Sequence, residues 1–102
     1  MLFRSAAPAA LAALAARADR LQREAILPLW TTAGRDATTG AFEEQLDFTG
    51  RPVTDAPRRA MVQARQIAVT AHAALTGRLA TGRELARTAA HRLIDKIGRA
   101  HV

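Results

Sequence analysis

The residue best placed to do chemistry is an arginine in an apolar stripe. In the stretch RRAMVQARQIAVTAHAAL, from Arg58 to Leu75, helical spacing puts Met61 and Val62 behind Arg65, Ala68 and Val69 ahead of it, and His72 two turns on. Residues three and four apart share a helix face, so this spacing sends the Arg65 guanidinium out of the side a core would bury. A guanidinium keeps its charge there and must find a carboxylate, carbonyl oxygens or a polar ligand. Two readings follow: Arg65 snorkels or makes a structural ion pair, or it binds something rich in oxygen. Glu43, Glu44 and Asp47 are the acids of the segment upstream. Glu44 shares a side with Phe42 and Leu46 in an alternating pattern, which makes it the candidate support for Arg65. No pair of carboxylates forms a dyad with matched spacing for acid–base catalysis.

Other chemistries are thinly supplied. The chain has no cysteine, so it can build neither disulfides nor a thiolate metal site. His72 and His91 have no second ligand three or four residues away and read as packing or surface histidines. No metal and no cofactor are expected. A glycine-rich phosphate loop and a G-x-S-x-G elbow are both missing from the sequence. The formal charge of +6 invites a nucleic-acid partner, but fourteen of the fifteen basic residues are arginines scattered through every segment. Arg58–Arg59 is the only adjacent pair and aromatics are few, so nucleic acid is not an expected partner.

Three helices and one hairpin must position these groups. Ser5 is placed to cap a first helix with Pro8 in its first turn, and Leu11, Leu14, Leu21 and Ala25 continue one stripe towards Ile26. Pro28 should disrupt that helix and Gly34 close the segment, with Trp30 plugging the core beneath the loop. The N-terminal Ala/Leu run is too short to span a bilayer, and its stripe runs on through Arg17, Arg20 and Arg23 without a cleavage site. It therefore reads as a cytoplasmic amphipathic helix with no membrane partner. From Ala41 the period changes to two, and Thr49–Gly50 turns the chain towards Arg51–Val53, predicting a short β-hairpin. Asp55 is the expected N-cap of the central helix, with Pro57 in its first turn, and Gly77 ends it. Thr81-Gly82-Arg83-Glu84 has the form of a capping box opening a third helix, whose stripe is Ala86, Ala90, Leu93, Ile94 and Ile97.

Taken in order, LPLW at Leu27–Trp30, GRD at Gly34–Asp36, GAFEEQLD at Gly40–Asp47, GRPV at Gly50–Val53 and RRAMVQARQIAV at Arg58–Val69 resemble the N-terminal part of the N-acylglucosamine 2-epimerase superfamily. Its members include sugar epimerases and aldose–ketose isomerases such as mannose isomerase. The match covers half the chain with order and spacing kept. It departs at Ala41, where the family usually has a second glycine, and at Ala68, where it usually has an aromatic. The resemblance implies a mostly α fold, the start of an α/α toroid of six helical hairpins, with a monosaccharide bound in the central cleft. It implies proton transfer next to the sugar carbonyl, performed by histidines on helices further along the family's chain. His72, His91 and His101 do not stand in those motifs, so no catalytic residue is expected here. Arg65 matches the family arginine that reaches the sugar, whereas Gln63 and Gln66 lie on other faces of the helix.

The last six residues, IGRAHV, match one reading frame of a widely used sequencing-library adapter. The expected organisation is thus 1–96 as the N-terminal piece of a toroid domain and 97–102 as a tail foreign to it. On that reading the parent is an isomerase, this stretch alone has no turnover, and homo-oligomerisation of the parent stays open. The alternatives are a small helical interaction module without enzymatic activity and, third, a basic nucleic-acid binder.

Overall fold

A computed structural model describes the backbone of residues 2–100 and the side chains of residues 7–98. The chain is mostly helical. Helix α1 (Leu2–Leu21) passes through a π-helical segment (Gln22–Ile26) into the short α2 (Leu27–Thr31), giving one long rod. An irregular stretch leads to α3 (Ala60–Leu75), and a tight connection leads to α4 (Gly82–Ala100). His101 lies outside the described residues, as does the Ser5 side chain; the helix is already under way at Leu2.

The rod outlasts its predicted stop at Ile26. Leu27 donates its N–H to the Gln22 carbonyl, five residues back. A proline ring collides with the carbonyl four residues before it in a regular α-helix, and a wider turn relieves that collision. Pro28 therefore sits at the start of α2 and the helix continues to Thr31. Gly34 then packs directly on Trp30, where a Cβ would lie 2.5 Å from the indole. Trp30 is half-buried against this loop and does not belong to the buried core, where it was expected as a plug.

Among the described residues there are no strands. The predicted hairpin is reduced to an isolated antiparallel bridge between Leu46 and Pro52, with a second bridge between Arg35 and Phe42. Its backbone bonds run from Asp47 N–H to Arg51 O (2.8 Å) and from Val53 N–H to Gln45 O (3.1 Å). Pro52 has no N–H to extend a ladder. The Asp47 carboxylate also takes the Thr49 N–H (2.8 Å), the Thr49 hydroxyl (2.6 Å) and the Arg51 N–H (3.0 Å), which curls the turn upon itself. The alternation fails accordingly: Phe42 is fully buried and Phe48 fully exposed, although the pattern put them on one side.

Helix α3 begins at Ala60, later than an Asp55 cap would have it, with Arg59 as an extended N-cap (φ −74°, ψ 140°). Glu44 fills the capping role from across the loop, accepting the Arg59 N–H at 3.4 Å. A carboxylate at that end also suits the helix dipole. Helices α3 and α4 form the main helix–helix contact, and small residues set its closeness. Thr70, Ala73, Ala86 and Ala89 are buried there, and a Cβ on Gly82 would stand 2.7 Å from the Thr70 carbonyl oxygen. The rest of the core is Leu27, Ala41 and Phe42. Of the stripe foreseen on α4, Ala86 is buried while Ile94 and Ile97 are exposed.

The molecule is elongated, 64 × 28 × 22 Å, with a radius of gyration of 17.0 Å. A compact chain of this length would measure about 13 Å. Among the described side chains, hydrogen bonds from the rod to the rest of the molecule gather near the C-terminal end of α1. Asp19 accepts Arg78 Nε at 2.6 Å and Arg23 Nε at 2.8 Å, and Arg23 Nη1 reaches the Gly77 carbonyl at 3.1 Å. Among the described residues no helix is long and apolar enough to cross a membrane.

Candidate functional site

The loop 34–47 is bound to the start of α3 by three side chains. Gln63, 6% exposed, accepts the Phe42 N–H at 3.0 Å and donates Nε2 to the Phe42 carbonyl at 2.6 Å. Its carboxamide thus pairs with the Phe42 backbone as a neighbouring strand would, and holds the buried ring at the helix. Arg58 Nη2 donates to Glu43 Oε1 (2.8 Å) and to Asp36 Oδ2 (3.2 Å). Arg59 Nε donates to Glu44 Oε1. Gly40 makes the approach possible: its φ of 79° is left-handed, and a Cβ there would strike the Thr88 methyl of α4.

These contacts set the local charge states. Asp36 is held below the ordinary carboxylate value, first by the Thr38 N–H and then by Arg58. Burial works against the charge on Arg58, yet its hydrogen bonds to Glu43 and Asp36 outweigh that and raise its pKa. Glu43 and Glu44 are both nearly buried at the side chain, and each already has an arginine. The arrangement is an ion-pair clasp, with both acids committed to structure.

The expected pairing of Glu44 with Arg65 is not formed; Glu44 belongs to Arg59. The cause is geometric. Arg59 sits at the helix mouth beside the loop, whereas Arg65 projects from the other side of α3. The buried side of α3 carries Gln63, Thr70 and Ala73, and the face with Arg65 is exposed, together with Met61 (63%) and Val69 (53%). The larger apolar residues pointed to the wrong side because the close α3–α4 contact selects small ones. Among the described residues Arg65 makes no ion pair, so its guanidinium is available beside two uncovered apolar side chains.

Sequence reasoning set Gln63 aside as lying on another face and read Arg58–Arg59 only as an adjacent basic pair, without their structural roles. One signal was present: an adjacent acid pair, Glu43–Glu44, faces an adjacent arginine pair fifteen residues on. A cleft of about 220 Å³ opens between α3 and α4, lined in part by Arg58, Gln63, Arg92, Leu93 and Lys96. It lies on the Gln63 side of α3, away from Arg65. His72 and His91 are exposed, and no metal-binding cluster of histidine, aspartate and glutamate occurs among the described residues. No protein-family model, curated protein or solved structure matches this chain.

Proposed function

We propose that this chain is the N-terminal part of a sugar 2-epimerase or aldose–ketose isomerase of the N-acylglucosamine 2-epimerase superfamily, and that Arg65 binds sugar oxygens. One observation carries the reading. The two segments richest in the resemblance, GAFEEQLD and RRAMVQARQ, are joined through Gln63, Arg58 and Arg59, and Arg65 is left free on the opposite face. Joining these segments gives the inner pairs a structural purpose and leaves one cation of the motif for a ligand.

The chemistry needs such a cation. Removing the proton next to a sugar carbonyl builds negative charge on the carbonyl oxygen, and a fixed guanidinium stabilises it. The exposed Met61 and Val69 beside Arg65 would be covered by further helices of a toroid, which would also supply the proton-transfer groups. By itself this stretch turns over no sugar.

The test uses the product of the uninterrupted gene that carries residues 1–96. Incubated in D₂O with a panel of hexoses and 2-acetamido-hexoses, it should exchange the C2 hydrogen of one of them, read as loss of the proton signal and a one-dalton gain. Arg65→Ala should lower kcat/KM about 10²-fold, as loss of one oxyanion donor does. A parent that exchanges no C2 hydrogen in the panel refutes the assignment.

A further inference from the structure

Helix α1 carries a second, unrelated pattern. Leu11, Leu14, Ala18 and Leu21 follow one another at spacings of three, four and three, the seam of a two-stranded coiled coil, and Ala25 of the π-helical segment continues the row. The structure leaves this seam uncovered: Leu11 is 68% exposed, Leu14 58% and Leu21 55%. Leu14, Ala18, Leu21 and Ala25 line one shallow groove, with Arg17 and Glu24 among its polar borders. The molecule's own contacts use another flank of the helix, where Asp19 and Arg23 hold Arg78 and Gly77. Arg17 and Glu24 make no ion pair within the chain among the described residues.

We propose that this face of α1 docks on the same face of a second copy, with the two helices antiparallel. In that arrangement Leu14 lies opposite Ala25 of the second copy, and Ala18 lies opposite Leu21. Each large side chain then meets a small one, which lets the helices interdigitate closely. Arg17 stands beside Glu24 of the second copy, and the two-fold axis repeats the pair. A parallel arrangement would set leucine on leucine and leave Arg17 facing Gln22. Charge and size complementarity thus select both the occupant and its direction.

Sedimentation equilibrium from micromolar to millimolar concentration should show a monomer–dimer equilibrium, abolished by Leu14→Asp with Leu21→Asp. Both side chains are exposed, and unchanged far-UV circular dichroism checks that the helices persist. Arg17→Glu should weaken association about five- to tenfold, and adding Glu24→Arg should restore it. These residues do not touch within one chain, so rescue reports a contact between copies. The chain lacks cysteine, so Leu14→Cys protein mixed with Ala25→Cys protein should give the mixed disulfide under mild oxidation. A monomer throughout overturns the proposal, as does association indifferent to the leucine changes or a preference of Leu14→Cys for its own kind. The same measurements on the longer gene product apply the same criteria, and a monomer there, with α1 covered by the chain's own later helices, overturns it for the parent.

Discussion

Gln63 satisfies both polar groups of the Phe42 residue inside the most buried part of the molecule. Leucine there keeps the bulk and loses both bonds, leaving a buried N–H and a buried carbonyl unpaired. Urea denaturation should show Gln63→Leu destabilised by about 2–4 kcal/mol. Gln63→Glu makes a sharper test. As a carboxylate it still accepts from the Phe42 N–H but cannot donate to the carbonyl; protonated, it does both. Its folded pKa must therefore rise above the unfolded value of about 4.3. The sign follows: the variant stands closest to the wild type below that pH, and the deficit grows as pH rises through the folded pKa. A gap that is flat with pH would show that the donated bond contributes nothing. Arg65 makes the opposite forecast, since it contacts no acid: Arg65→Ala should change the stability of this chain by no more than about 0.5 kcal/mol. Its residue type and spacing were legible in the sequence. That it has no acid partner was not, because Glu44 has two arginines within reach along the chain and only the folded loop gives it to Arg59.

At the scale of elements, the contact between α3 and α4 depends on residues with little side chain. Gly82→Ala would place a methyl 2.7 Å from the Thr70 carbonyl, and backbone rather than a flexible tip must give way. Such overpacking costs about 1–3 kcal/mol, to be read as a fall in Tm. The mooring of α1 depends on pH. Hydrogen bonds from Arg23 and then Arg78 hold Asp19 below the ordinary carboxylate value. A depressed carboxylate stabilises the native form above its unfolded pKa, and that contribution fades as pH falls through the folded value. Below about pH 4, and in Asp19→Asn at neutral pH, protection of the Arg78 and Leu79 amides relative to their intrinsic exchange rates should fall several-fold while total helicity is kept. Helix boundaries divided in a readable way. The start of α4 was visible in T-G-R-E and the end of α3 in Gly77, because a local chain signal suffices there. The start of α3 was not, since its cap comes from Glu44, fifteen residues away.

At the scale of the whole molecule, six buried apolar residues among those described, four of them alanines, make a thin core for an elongated chain. Large apolar side chains remain uncovered on α1 along Leu11, Leu14 and Leu21, and on α3 at Met61, Val69 and Leu75. The two surfaces ask for different occupants: a second copy on α1 and, in the sugar-isomerase reading, further helices and a ligand beside Arg65. Local chemistry written along the chain determined the helical periods, the glycine stop after α3 and the exclusion of thiolate chemistry. These depend on neighbours within a turn or two. The buried side of α3, the passage of the rod beyond Pro28, the loss of the hairpin and the Arg59–Glu44 pair were decided in three dimensions. The buried side of α3 and the Arg59–Glu44 pair turn on which groups come within a few ångströms after the loop folds back, and sequence spacing does not record that distance.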